Sequence, residues 1–158
     1  MRIAAASLLL LLVVGKSTPA STQAVDRIEL RKSGESSLDI EVNQQGDGRY
    51  RLSEPIPEGT TGTFRLTAEQ FAVLAQRLTP YRRHAVPMDD QTTRAMINQV
   101  CPAGTPYITD TGAIWVHWVG AGTDDHYLAD LGCDHERNAE RNADLRDIIR
   151  SLPVPSYP

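Results

Sequence analysis

From Arg27 to Lys32 the chain alternates apolar Ile28 and Leu30 with charged Arg27, Glu29 and Arg31, the period-two pattern of a strand with one buried face. Leu38, Ile40 and Val42 alternate with Asp39 and Glu41 in the same way, after a turn over residues 33–36. A glycine-rich turn over residues 44–48 leads to a third strand marked by Tyr50 and Leu52. A loop with Pro55, Pro57, Gly59 and Gly62 follows, and Phe64 and Leu66 suggest a short fourth strand.

At Thr67 the period changes. The run T-A-E-Q sets a capping threonine three residues before Gln70, whose side chain can reach back to the cap. Phe71, Leu74, Ala75 and Leu78 then recur at helical spacing, and Pro80 is expected to end the helix. Residues 82–99 lose any clear period and read mostly as loop, with a helical turn around Arg94–Ile97. The strand pattern returns over 113–119 and 126–131, which flank a glycine- and aspartate-rich connection at 120–125. Asp134 is the expected cap of a last helix, in which Leu145, Ile148, Ile149 and Leu152 share one face until Pro153 stops it; residues 154–158 read as a loose tail. The order strands, helix, strands, helix predicts an α+β domain: a twisted antiparallel sheet with both helices on one face.

The hairpin at 113–131 carries the most informative residues. Pairing Val119 with His126 places Ile114, Val116, Trp118, Tyr127, Ala129 and Leu131 on one face, a coherent core. The other face then shows Trp115, His117, Val119, His126, Leu128 and Asp130, with the two histidines diagonal to one another. A slip of one residue would exchange the two faces. If both helices cover the core face, the second face is open to solvent, and Trp115, His117, His126 and Asp130 form a candidate binding surface. The competing expectation is that residues 82–106 cover Trp115 and Leu128 and leave the histidines at the rim.

The N-terminus changes the compartment. Arg2 precedes an unbroken apolar run from Ile3 to Val14, followed by small and polar residues: the order of a secretory signal. Twelve helical residues rise only about 18 Å, short of the roughly 30 Å hydrocarbon core, so no permanent membrane anchor is expected. Cleavage fits after Ala20 or after Ala24, each preceded by a small residue two positions earlier. The expected organisation is a signal over residues 1–24 and a single exported domain over 25–158, periplasmic or extracellular. Arg2 and Lys16 would leave with the signal, so 14 of the 16 basic residues would face 20 acidic ones, a net charge of −6. Nucleic acid is thereby an improbable partner, since its binding needs clustered basic contacts to phosphate.

In an oxidising compartment the two cysteines, Cys101 and Cys133, are expected to pair. Such a loop removes roughly 3.5 to 4 kcal/mol of unfolded-chain entropy. The rival is a reactive thiol at Cys133 just before a helix, but the spacing is not C-x-x-C.

Candidate chemistry is sparse. His117, His126, Asp124 and Asp125, with His135 and Glu136 further on, are metal-ligand types in one stretch, yet no short-spaced motif announces a zinc or calcium site. Asp124 and Asp125 equally suit a turn, and His135 and Glu136 the first turn of a helix. Arg82, Arg83 and His84 form a candidate anion patch, or else solvate a helix end. There is no G-x-S-x-G elbow, no phosphate loop, and no reason to pair Asp89 with Asp90 catalytically. No cofactor is implied. The reading that results is a non-catalytic exported binding domain whose partner is a protein or a small molecule, using the hairpin face. The alternatives are a metal-binding protein or metal-dependent enzyme built on His117, His126 and Asp124 or Asp125, and a structural envelope component.

Overall fold

The computed structural model describes residues 24–34, 36–53 and 59–155. The expected signal segment, Pro55, Pro57 and the last three residues lie outside the described residues, apart from Ala24 at the signal's end.

Four strands run as an antiparallel meander, β1 (Arg27–Lys32), β2 (Ser37–Asn43), β3 (Asp47–Ser53) and β4 (Thr60–Arg65). The chain then forms helix α1 (Ala68–Arg82), the two-residue strand β5 (Val86–Pro87), helix α2 (Asp90–Val100), the hairpin β6 (Ala113–Gly120) and β7 (Thr123–Asp130), and helix α3 (Ala139–Arg150). The hairpin returns to pair β6 with β1, giving one seven-stranded sheet in the order β4-β3-β2-β1-β6-β7-β5. The α+β class, the antiparallel sheet and the Cys101–Cys133 disulfide are therefore as the pattern predicts.

The alternation in β1 and β2 decides which face is buried. Ile28, Leu30, Leu38, Ile40 and Val42 point to one side, where they meet Ile114, Val116 and Trp118 of β6. Leu74, Leu78 and Tyr81 of α1 and Leu145, Ile148 and Ile149 of α3 close that side, so both helices do cover the core face. Between them, Tyr81 donates its hydroxyl to Asp144 at 2.6 Å, and Arg77 pairs with Asp144 and Asp147 at 2.9 and 3.0 Å. Thr67 forms the expected capping box with Gln70.

Several local expectations are corrected. Pro80 does not end α1, which continues to Arg82. In the last turn a proline forfeits a single backbone hydrogen bond, and the buried Tyr81 holds that turn against the core. Gly48 and Gly62 lie in strands rather than turns. Gly48 opposes Phe64 and Gly62 opposes Tyr50, and each ring lies over its glycine, where a Cβ would come within 2.3 and 2.5 Å of ring atoms. Asp134 does not cap α3: it sits in a turn at φ 44°, and Asn138 takes the N-cap position without a side-chain cap bond. The segment after α1 is no loop but contains β5 and the eleven residues of α2. Val154, placed in the loose tail, packs against the core.

The hairpin register also differs. Val119 pairs with Asp124, not His126, because a two-residue turn at Ala121 and Gly122 lets the strands run on to Gly120 and Thr123. The displacement is two residues, which preserves the faces. Trp118 is 1 % exposed and stays in the core, while His117 and His126 become direct cross-strand partners.

Candidate functional site

The second face of the sheet is divided by α2. Over β6 and β7 the helix covers Leu128 and His126, whereas over β1–β4 the face is open. Trp115 stands half-buried at the boundary.

On the open part, charged side chains are paired with neighbours of opposite sign, although Glu29 and Glu41 oppose one another across β1 and β2. Arg31 and Arg51 both reach Asp39, at 2.6 and 2.8 Å. Arg49 reaches Glu41 at 2.6 Å, Arg27 reaches Glu29 at 2.8 Å, and Arg65 pairs with Asp47. Burial pushes the Asp39 carboxyl up, but the hydrogen bonds from Arg51 and Arg31 more than offset it and hold it below the usual carboxylate range. Of these side chains all but Arg27, Asp47 and Arg65, together with Thr61, Thr63 and Trp115, bound a depression of about 600 Å³. The guanidinium of Arg31 lies 5.7 Å from the Trp115 ring centre, close enough for a cation–π contact.

Beneath this layer the two histidines are fixed by different partners. His117 contacts Glu29 through Nδ1 at 3.0 Å and Asp124 through Nε2 at 2.6 Å. His126 accepts the indole N–H of Trp115 at Nδ1, 3.2 Å away, and meets the Thr93 hydroxyl of α2 through Nε2 at 3.3 Å. Burial pushes the His126 pKa down, and the charge of His117 adds to that, against weaker opposition from Asp124, Asp89 and Asp125.

The candidate residues thus part company. Trp115, His117 and His126 come together, with ring centres of both histidines 5.1 and 5.9 Å from that of the indole. The histidines are 8 % and 1 % exposed, so neither the open arrangement nor a rim position describes them; they lie under the surface that Trp115 reaches. Asp130 does not join this group: its carboxylate accepts the backbone N–H groups of Gly132 and Cys133, shaping the turn after β7. Asp124 is turned to His117, whereas Asp125, one residue on, belongs to the opposite face of β7 and pairs with Trp118 and Pro87. Arg82 reaches the Thr123 hydroxyl at 3.4 Å, while Arg83 and His84 are exposed at the end of α1.

Among the described residues no group of three or more His, Cys, Asp or Glu converges as a metal site would. Both ring nitrogens of His117 and of His126 already face a protein partner. The cysteines are bonded, with Cα atoms 5.5 Å apart, which leaves no free thiol at Cys133.

Two contributors escaped the sequence reading. Helix α2 begins at Asp89, whose carboxylate accepts the N–H groups of Gln91 and Thr92 and is held below its usual pKa by the backbone N–H and the hydroxyl of Thr92. An aspartate followed by eleven residues free of glycine and proline was the available signal. Glu29 meets His117 only because β1 pairs with β6 across 88 residues, a partnership no local pattern encodes.

Compared with known proteins, the chain matches no family model and no curated sequence at a significant level.

Proposed function

We propose that this chain is an exported, non-catalytic binding domain of the periplasm or the extracellular space, and that it takes its partner on the open sheet face beside the 113–131 hairpin. One observation carries the reading: Trp115, half-buried and held through its N–H by a buried histidine, forms the wall of a 600 Å³ depression floored by paired charges. A rigid aromatic beside preorganised polar groups is the usual make-up of a recognition site. Export is supported by the apolar run at residues 3–14 and by the Cys101–Cys133 bond, which persists in oxidising compartments. Among the described residues no helix is long and apolar enough to cross a membrane.

The test is a pull-down from native envelope with wild type and Trp115→Ala. The variant is expected to keep its fold, since Trp118 and not Trp115 fills the core, and to lose most of the captured partner. A Trp115→Ala variant that folds and captures the same partner equally well removes the site.

A further inference from the structure

The depression is one of two hollows that meet at the same wall. On the other side of Trp115, between α2 and the sheet, lies a cleft of about 280 Å³ lined by Met88, Met96, Ile97, Ala113 and Leu128, with Arg31 and Trp115 again at its border. Arg31 and Trp115 are cross-strand partners of β1 and β6, so this pair is a ridge between a polar basin and an apolar slot.

Building on the site proposed above, we infer that it takes a single-chain amphiphile, with an uncharged, hydroxyl-rich head in the depression and an apolar tail in the cleft. The head follows from charge. Three guanidiniums, of Arg31, Arg49 and Arg51, and three carboxylates, of Glu29, Asp39 and Glu41, line it, and each is paired with a neighbour of opposite sign. An anion or a cation would be attracted by half of them and repelled by the rest. A hydroxyl both donates and accepts, so a polyol matches either kind without disturbing the pairs.

The tail follows from the slot. The imidazole of His126 at its floor already has partners for both nitrogens, and among the described residues no buried side-chain nitrogen or oxygen lacks a hydrogen bond. The other polar groups there, the hydroxyls of Ser33 and Thr93 and the border guanidinium of Arg31, are engaged within the protein as well, so the slot offers a ligand chiefly apolar contact. At about 30 Å³ per non-hydrogen atom it has room for roughly nine. α2 buries none of its residues fully, and Met88 and Ile97 stand 40 % and 55 % exposed at the lip. A packed interior does not normally leave such space beneath a helix.

Octyl glucoside below its critical micelle concentration is the probe, with glucose, octanol, octanoate and octylphosphocholine as controls, and binding is read by titration calorimetry. Octyl glucoside is expected to bind at least about tenfold more tightly than any of the four. Ala113→Phe, which fills the slot, is expected to remove that advantage; Ile97→Glu, a substitution at an exposed position that spares the fold, should weaken it in the same direction. The inference is overturned if octanol binds as well, if a charged or zwitterionic head binds better, or if neither variant changes the affinity. If octyl glucoside fails while an envelope partner is captured in a Trp115-dependent manner, the amphiphile is wrong and the site stands. If Trp115→Ala alters neither, the site itself is wrong.

Discussion

The indole N–H of Trp115 points at Nδ1 of His126 from 3.2 Å, and this bond assigns the proton of the imidazole. With Nδ1 accepting, the hydrogen must sit on Nε2, which then donates to the hydroxyl of Thr93 in α2. One neutral, buried histidine therefore ties the wall of the proposed site to the helix that covers half of the face.

Acid should release that tie. Protonation turns Nδ1 into a second donor facing the indole, in a position already unfavourable to charge; burial, followed by the nearby His117, holds the His126 pKa below its ordinary value. A folded-state pKa lowered in this way contributes stability that is complete above the unfolded value of about 6.5 and is lost as pH falls through the folded one. Urea unfolding at pH 7.5, 6.5, 5.5 and 5 should show a decline in wild type that is shallower in His126→Gln. Parallel pH profiles for the two proteins would contradict this.

The two tryptophans, three residues apart, should behave as opposites. Trp118 is 1 % exposed in the core and Trp115 half-buried at the surface. In Trp115→Phe the remaining emission should be blue-shifted and resistant to iodide, and in Trp118→Phe it should be quenchable. Trp118→Ala should cost about 3 to 5 kcal/mol, against clearly less for Trp115→Ala. Equal quenching of the two single-tryptophan variants would mean that the face assignment of the hairpin is wrong.

That assignment shows what kind of information the sequence carried. Side-chain parity survived an error of two residues in the hairpin register, because a displacement by an even number leaves Ile114, Val116 and Trp118 inward. The capping box at Thr67 and the strand at Arg27–Lys32 were equally readable, since both are local patterns. Helix α2 was not, because its apolar residues are few, Ala95, Met96, Ile97 and Val100, and none of them is fully buried. The role of Asp130 was misjudged for a similar reason: a strand-end aspartate facing outward and one folding back on Gly132 and Cys133 have the same sequence. The charges of β1 and β2 were visible as solvent-facing positions, but their union with Trp115 in one basin depends on β6 returning to pair with β1.

Between α1 and α3, Asp144 is the shared acceptor of the Tyr81 hydroxyl and Arg77. The Tyr81 bond chiefly holds its carboxyl below the usual range, with Arg77 adding to the effect against the opposing pull of burial; Tyr81 itself is pushed well up by burial and by the same bond. Asp144→Ala leaves the buried hydroxyl of Tyr81 without its acceptor, and a loss of about 1 to 3 kcal/mol is expected. A lowered carboxylate pKa stabilises above the unfolded value near 3.9 and ceases to do so as pH falls through the folded one. The difference between wild type and Asp144→Ala in denaturant unfolding should therefore shrink on going from pH 6 to pH 3. A constant difference would assign the effect to packing rather than to charge.

The disulfide should matter most to the element that the hydrophobic core holds least. Helix α2 buries no residue fully, and apart from the Thr93–His126 contact its fixed points lie at its two ends. At the start, Met88 donates its N–H to the Asp124 carbonyl and Asp89 caps the first turn. At the finish, Cys101 is bonded to Cys133, just beyond β7. Removing the cross-link in Cys101→Ser/Cys133→Ser should lower global stability by roughly 3.5 to 4 kcal/mol through the enlarged unfolded ensemble. A second effect should appear in the native state. With one end released, residues 90–100 can open without unfolding the sheet, so their amides should exchange far faster than before, beyond the change set by the global loss. The amides of β1, β2 and β6, paired on both sides in the middle of the sheet, should slow or quicken only with global stability. Amide exchange resolved by residue separates the two effects. If α2 and the central strands lose protection by the same factor, the helix unfolds only with the whole domain, and its covering of the Trp115 face is as permanent as the core itself.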